Sequence, residues 1–312
     1  MKVYYDIESF RAINPAVTIG TFDGVHNGHK KVIGRLKELA AEIEGESVIF
    51  TFFPHPRLVL SPEEGNLRLL TTLDEKIRLL EEAGIDHLIA FPFTKEFSNL
   101  SYTDFVKTIL VDKLNTRCLV IGYDHKFGKD REGGYEFLKQ CADQYHFRLE
   151  KLDAFYVDDV NISSTKIRTA LEKGNVGRAN EFLGYRFTLH GNVVEGQKLG
   201  RRIQFPTANI EASDPHKIIP GYGVYAVTVR FNGNVYKGML NIGTRPTVNT
   251  NADHRSIEVH IFDFGEAIYG KQIELCFYQK IREEQKFNSI DELKAQLEKD
   301  KVQVLSCFSK FF

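Results

Sequence analysis

The sequence predicts an α/β domain followed by an all-β domain. The first is expected to be Rossmann-like with a parallel sheet, and the second a small antiparallel β-barrel with a terminal helix. At 312 residues the chain is long enough for two domains of ordinary size. Apolar runs alternate with helical stretches from residue 16 to about 183, whereas short strands with hairpin signals follow from residue 184. We therefore expect domains at 1–183 and 184–312.

The N-terminal half alternates strand and helix signals. Strands are expected at Val17–Gly20, Ser47–Phe53, His87–Phe91, Arg117–Gly122 and Phe147–Leu152. Helices are expected near residues 29–44, 72–83, 102–114, 134–145, 164–173 and 176–182. This order is typical of a parallel sheet with crossover helices, in which ligands bind beyond the carboxyl ends of the strands. The glycine-rich turn at 20–28 is expected at that edge.

The C-terminal half shows the period of two that marks antiparallel strands. Apolar side chains alternate with others over residues 225–231, and Asn232-Gly233 then gives a strong hairpin signal. Further strands are expected at Phe187–Val194, Val235–Ile242, Ile257–Phe262 and Ile273–Lys280. Ser289 to Glu292 resembles a capping box that opens a helix through Leu297. These signals together favour a small barrel with a terminal helix.

Composition excludes several classes of partner. The net charge is −1, so nothing favours duplex nucleic acid. The four cysteines form no C-x-x-C pair, which favours reduced thiols over a zinc or disulfide site. No apolar run approaches a membrane span, and the N-terminus lacks the apolar core of a signal peptide. We expect a cytoplasmic protein with no nucleic-acid or membrane partner, monomeric or weakly oligomeric.

The most specific chemical signal is the stretch from Gly20 to His29, GTFDGVHNGH. It lies between an apolar strand and a helix with one apolar face. A strand, a glycine-rich turn and a helix present backbone N–H groups and the positive end of the helix dipole, which favours a phosphate. His26 and His29 can add two donors there. By residue types alone, the pair could equally be two exposed histidines of a tight turn.

A second element, Ile162–Arg168 with the sequence ISSTKIR, places hydroxyls at an expected helix start. Its lysine and arginine follow one turn later. Nucleotidyl transfer needs aligned phosphates and neutralised charge more than covalent help, so such a cluster can clamp a triphosphate. Alone, these hydroxyls are more often a helix N-cap. Their occurrence in one α/β domain with the stretch Gly20–His29, called the histidine turn below, favours a nucleotide site.

The run Gly200–Asn209, GRRIQFPTAN, is the second informative stretch. In an extended strand Thr207 and Asn209 point to one face, where a hydroxyl and an amide oxygen suit Mg²⁺. Phosphoryl transfer to an alcohol also needs a base, and Glu258 is the best candidate. Alone, residues 206–209 could be a strand entered from a proline, and a strand glutamate usually faces solvent.

Together these motifs resemble the prokaryotic bifunctional riboflavin kinase/FAD synthetases, in that family's domain order. The segments that carry the resemblance are Thr18–His29, Phe52–Pro56, Leu70–Lys76, Gly122–Gly128, Ile162–Arg168, Pro206–Asn209, Asn241–Thr247 and Glu258–Phe264. The resemblance implies an N-terminal FMN adenylyltransferase that joins FMN to the AMP part of ATP, giving FAD and pyrophosphate. It implies a C-terminal riboflavin kinase that uses MgATP to make FMN.

The resemblance also implies site residues in the adenylyltransferase. His26 and His29 would contact the ATP phosphates and serve catalysis. The other ATP-binding positions would be Gly20, Phe22, Asn27, Gly28, Ser164, Thr165 and Arg168, whereas Asp23 could be structural. The flavin would contact Pro54, His55, Asp124 and Phe127, and His125 stands where the family has phenylalanine.

In the kinase the resemblance implies that Glu258 is the catalytic base. Thr207 and Asn209 would hold the metal and the nucleotide, with Gly200 and Arg201 also at the ATP site. Gln204 departs from the small residue that commonly precedes Phe-Pro-Thr, which could narrow the movement of the loop.

Two other interpretations remain open on the sequence. The first is a nucleotidyltransferase with another phosphorylated acceptor, because H-x-G-H is shared across that superfamily; the kinase-like second half disfavours it. The second is a flavin sensor or carrier with degenerate catalytic residues. The intact histidine turn, Thr207, Asn209 and Glu258 disfavour this second interpretation.

Overall fold

The computed structural model divides into two compact units, Met1–Ser164 and Thr165–Phe312. The residues that it describes are 1–61, 67–123, 134–157, 160–196, 205–244 and 255–309. The predicted fold class is confirmed: a parallel sheet with helices is followed by a closed antiparallel barrel and a terminal helix. Among the described residues, no helix combines the length and the apolar character needed to cross a bilayer.

The first unit is built on a six-stranded sheet whose paired strands are all parallel. Its strands are β1 (Lys2–Tyr4), β2 (Ala16–Ile19), β3 (Ser47–Phe53), β4 (His87–Pro92), β5 (Cys118–Ile121) and β6 (Arg148–Lys151). The order in the sheet is β1-β4-β3-β2-β5-β6. The chain therefore reverses its direction of travel across the sheet between β2 and β5, which is where ligands bind in such folds. A short hairpin, β7 (Tyr156–Val157) and β8 (Val160–Asn161), follows.

Helices cover the sheet on both faces. They are α1 (Asn27–Glu42), α2 (Pro56–Leu60), α3 (Leu73–Glu82), α4 (Lys95–Ser98), α5 (Tyr102–Asp104), a π-helix (Phe105–Lys113) and α6 (Tyr135–Tyr145). One core packs Leu36 and Leu39 of α1 against β3 and β4, and the other packs Phe105 and Leu110 against Phe50. The helix predicted over 102–114 is present, but most of it is a π-helix, which buries Phe105, Val106, Ile109 and Leu110.

The second unit begins with α7 (Ser164–Glu172, whose first residue closes the first unit) and α8 (Val176–Leu183). Its barrel strands are β9 (Thr188–Val194), β10 (Ala208–Ala212), β11 (Gly223–Phe231), β12 (Asn234–Thr244), β13 (Arg255–Ile261) and β14 (Gln272–Arg282). They close in the order β10-β13-β12-β11-β14-β9. The predicted hairpin is present, since Asn232 and Gly233 both have positive φ, 48° and 78°.

Helix α8 packs on the barrel. The Asn180 side chain donates to the Phe277 carbonyl at 3.0 Å and accepts from the Phe187 N–H at 2.7 Å. The boundary between the two compact units therefore falls at 164/165, so that α8 and nearly all of α7 belong to the second unit. The domain boundary at 183/184, which was drawn from the change in strand and helix pattern, stays a prediction.

The terminal helix α9 (Ile290–Phe308) is longer than predicted. Ser289 caps it as expected, accepting from the Glu292 N–H at 3.1 Å. The helix continues past Leu297 because Val304 and Phe308 are fully buried in a cluster with Phe205 and Met239. Burial of each such side chain stabilises the fold by about 1.5–3 kcal/mol.

Candidate active sites

The histidine turn joins β2 to α1 at the reversal point of the sheet. Its backbone is unusual, because Phe22, Gly24 and Val25 have positive φ values of 46°, 87° and 35°. Only glycine adopts this region freely, and each of the other two residues costs on the order of 1–3 kcal/mol. Such strain persists only where neighbouring contacts hold it, and it is concentrated at functional sites.

His26 caps the N-terminus of α1. Its Nδ1 accepts a hydrogen bond from the His29 backbone N–H at 3.3 Å. A ring nitrogen that accepts carries no proton, so the proton of the neutral ring is on Nε2. Gly28 leaves room for this ring, since a Cβ at that position would lie 3.2 Å from it. His26 thus offers an Nε2–H donor beside the start of the helix.

His29 stacks on His26, with ring centroids 3.6 Å apart and planes 14° from parallel. Its Nδ1 atom is buried and has no hydrogen-bond partner among the described residues. Burial, followed by the neighbouring His26 and Lys76, holds the pKa of His29 well below its ordinary value. The ring is therefore neutral at pH 7. Two imidazole N–H donors and a helix N-terminus together suit phosphate oxygens.

Two predicted ATP-site positions have distinct structural roles in the turn. Gly20 lies close to Phe22, since a Cβ there would be 3.1 Å from the Phe22 ring and would crowd it. The Phe22 side chain is 3% exposed and packs in the core with Val25 and Ile33, with its ring centroid 4.9 Å from that of His29. A ligand could therefore meet Phe22 through its backbone.

Asp23 is a structural residue of the turn. Its carboxylate is buried and accepts from the backbone N–H groups of Leu70 and Thr71 at 3.0 and 3.1 Å, and from the Thr71 hydroxyl at 3.4 Å. The same hydroxyl accepts from the Gly24 N–H at 3.0 Å. These contacts help to hold the strained backbone of the turn.

The second predicted motif begins against this turn. The Ser164 hydroxyl donates to the Asp23 carbonyl at 2.9 Å. Thr165 and Arg168 lie in the first two turns of α7, and their contact with ATP stays a prediction.

The predicted flavin residues of the first unit follow β3, the neighbour of β2. The Phe53–Pro54 peptide is cis, and Pro54 is exposed. His55 is half-buried and caps α2, accepting from the Arg57 N–H at 3.2 Å. The remaining predictions for this site, Asp124, His125 and Phe127, lie outside the described residues.

In the second unit, Glu258 of β13 lies at the centre of a polar ladder. It is directly opposite Asn209 of β10 on one side and Asn241 of β12 on the other. Directly opposed residues of antiparallel strands share a face of the sheet. The Thr207 hydroxyl donates to Glu258 Oε2 at 3.3 Å. The predicted Thr207, Asn209 and Glu258 are thus brought together, whereas Gly200, Arg201 and Gln204 lie outside the described residues.

A cavity of about 230 Å³ adjoins this ladder. Thr207, Asn241, Glu258 and Glu284 contribute polar groups to its wall. The apolar part is formed by Phe205, Val224, Met239, Leu240, Phe287, Leu293 and Leu297. An apolar pocket with a few converging polar groups is typical of a small-molecule site.

His260 is a residue of this site that the sequence reasoning missed. It follows Glu258 by two positions on β13, and its Nδ1 donates to the Pro206 carbonyl at 2.7 Å. Burial lowers the pKa of His260, so the ring is neutral at pH 7. It fixes the segment that carries Thr207. Asn241 was missed as well, because only the barrel register places it opposite Glu258.

In comparisons with known proteins, a different family model matches each half of the chain. The FAD synthetase family model matches residues 11–166, and the riboflavin kinase family model matches residues 183–308. The Bifunctional riboflavin kinase/FMN adenylyltransferase of Listeria monocytogenes is 40% identical over 96% of this chain and 94% of its own length. The protein of the same name from Escherichia coli K12 is 38% identical over 92% and 90%.

A solved structure described as a macrolide-efflux protein from Streptococcus pneumoniae has a TM-score of 0.86 and 29% identity. The match covers 96% of this chain and 97% of that one, so the same fold extends over both units.

A turn with two histidines at a helix N-terminus on a parallel sheet, and a barrel with a carboxylate and a hydroxyl in contact, fit the class to which both family models point, a two-domain transferase of nucleotides and phosphates. The chain belongs to the family of bifunctional riboflavin kinase/FMN adenylyltransferases. Its C-terminal part phosphorylates riboflavin to FMN, and its N-terminal part converts FMN to FAD.

Proposed function

We propose that both reactions consume ATP with Mg²⁺, at two separate sites made by the histidine turn and by the ladder around Glu258. The observation that carries the kinase assignment is the contact of Glu258 with Thr207 together with its register opposite Asn209. A carboxylate in that setting is near both the Thr207 hydroxyl and the adjoining cavity.

In the kinase, Glu258 accepts the proton of the ribityl 5′-hydroxyl as that oxygen attacks the γ-phosphorus of ATP, and ADP leaves. The hydroxyl of Thr207 and the amide oxygen of Asn209 are hard oxygen ligands beside this carboxylate, a donor set that fits Mg²⁺. The ion, when bound, neutralises charge on the phosphates. Gly200 and Arg201 complete the ATP site in this proposal.

In the adenylyltransferase, a phosphate oxygen of FMN attacks the α-phosphorus of ATP, and pyrophosphate leaves. His26 and His29 donate to phosphate oxygens and stabilise the charge of the transition state with the N-terminus of α1. Asn27 and Gly28 shape the turn, and Ser164, Thr165 and Arg168 close over the triphosphate. Pro54, His55, Asp124 and Phe127 contact the flavin.

The same proposal places the enzyme in the cytoplasm, as a monomer or weak oligomer. None of the four cysteines, all of which are among the described residues, forms a disulfide, which supports a reducing compartment. Light scattering of the purified chain tests the oligomeric state.

The direct test follows flavins by chromatography after mixing the pure protein with riboflavin, ATP and Mg²⁺. We expect FMN first and FAD later, and neither product when EDTA replaces Mg²⁺ or when ATP is omitted. FMN formation that persists in EDTA would contradict the metal proposal. FMN that never converts would contradict the role of the histidine turn.

A further inference from the structure

Lys76 is a buried lysine whose side chain contacts the histidine turn. It lies in the first turn of α3, which begins with a complete capping box between Thr72 and Glu75. Its residue exposure is 7%, and its Nζ donates to the Thr21 carbonyl at 2.7 Å. Burial of an ammonium group opposes folding, and an apolar side chain of similar length would fill this space without that cost. The charge at this position therefore calls for another explanation.

The hydrogen bond of Lys76 fixes one peptide of the turn. The Thr21 carbonyl also accepts from the Thr51 hydroxyl at 3.2 Å, so two donors hold it in place. In a trans peptide the C=O and N–H point in opposite directions. The Phe22 N–H is therefore directed away from Lys76, and it has no acceptor among the residues that the structure describes.

The charge of Lys76 also acts on the stacked histidines. It disfavours protonation of His29, as the stacked His26 does as well. Asp23 is the acidic group that faces Lys76, and it favours the charged amine. The segment 70–76 therefore supplies both the N–H groups that hold Asp23 and the cation that holds Thr21.

We propose that Lys76 is a positioning residue for the adenylyltransferase reaction. By holding the Thr21 carbonyl it orients the Phe22 N–H toward the nucleotide phosphates. Its ammonium group also places a positive charge near the His26–His29 pair. This inference rests on the proposed location of the ATP site at the histidine turn. The residue contacts the turn and acts through it.

The test compares Lys76→Met with Lys76→Arg and with the control Lys37→Met. Lys37 also donates to a backbone carbonyl in the same unit, that of Ala83 at 2.8 Å, but it is exposed and remote from the motif along α1. For Lys76→Met we expect kcat/KM of FAD formation from FMN to fall about 100-fold, as for a misplaced reacting group. Riboflavin phosphorylation should stay within about twofold, since it belongs to the other site. Lys37→Met should leave both reactions at wild-type rates.

A second readout separates positioning from loss of structure. The His29 ring is titrated by NMR in each full-length variant without nucleotide. Loss of the cation should raise the pKa of His29 in Lys76→Met, and Lys76→Arg should restore the wild-type titration. An unchanged His29 titration in Lys76→Met, or wild-type FAD formation, would overturn the inference.

The variant His29→Ala distinguishes this inference from the proposed site. If His29→Ala retains FAD formation, the ATP site is elsewhere and the inference on Lys76 fails with it. If His29→Ala abolishes FAD formation while Lys76→Met does not, the site stands and only the role of Lys76 is wrong.

Discussion

Asn209 of β10 and Glu258 of β13 are directly opposed across two paired strands of the barrel. They are 49 positions apart in the sequence (258 − 209). The Thr207 hydroxyl, two positions before Asn209, reaches the Glu258 carboxylate at 3.3 Å. The barrel thus brings the side chains of two distant motifs together, and the first prediction depends on this contact.

Glu258→Gln should abolish riboflavin phosphorylation and leave FAD formation from supplied FMN unchanged. The amide keeps the shape of the side chain but cannot accept the proton, so we expect a loss of about 100- to 10,000-fold in kcat. The matched control is Glu211→Gln, which changes an exposed strand glutamate on β10. Chromatography of both reactions measures the result. Equal losses in the two activities would refute the division into two sites.

His26 has a structural role and a proposed catalytic role that substitution can separate. His26→Ala should lower the free energy of unfolding by about 1 kcal/mol through loss of the N-cap of α1, and it should also impair FAD formation. His26→Asn restores a good N-cap without the Nε2–H donor. It should recover the melting temperature but not the activity. Recovery of FAD formation by His26→Asn would show that His26 acts only as the cap.

The buried amine of Lys76 predicts a stability change at alkaline pH. Burial lowers the pKa of Lys76 from 10.5 to about 8, partly opposed by Asp23. Between these two pH values the unfolded chain binds this proton more than the folded chain does, so the free energy of unfolding contributed by Lys76 rises with pH. The free energy of unfolding of the wild type minus that of Lys76→Met should therefore increase from pH 8 to pH 10.5. Urea unfolding followed by circular dichroism measures both values. A difference that stays flat would contradict the burial of a titrating amine.

The pair Arg282–Asp300 joins β14 to the terminal helix. Asp300 is fully buried and accepts from Arg282 Nε at 2.9 Å and Nη2 at 2.8 Å, and Gln296 donates to it at 2.8 Å. Asp300→Ala leaves the guanidinium without its partner and should destabilise the barrel by about 3–5 kcal/mol. The melting temperature of the second unit and riboflavin phosphorylation should both fall. FAD formation from supplied FMN serves as the control, and its parallel loss would contradict a local effect.

Sequence patterns located most elements of both units because their signals are local. The strand predicted at Ser47–Phe53 has those bounds in the structure, and the Asn232-Gly233 hairpin is where its turn residues place it. Strand β1 was not predicted, since three residues carry too little alternation to identify a strand. Helix α9 was predicted too short, because the burial of Val304 and Phe308 depends on a barrel surface assembled from distant strands.

The sequence by itself determined the class of each half and the residue types of both motifs, since turn glycines, helix caps and alternation act over a few positions. It left Asp23 open between a ligand role and a structural one. Only the tertiary structure decided that its carboxylate is taken up by residues 70 and 71. It also decided that Lys76 donates to the Thr21 carbonyl of the turn, that Asn241 lies opposite Glu258, and that His260 is bonded to the Pro206 carbonyl next to Thr207. These contacts join residues brought together by sheet order and barrel register, which packing of the whole chain sets.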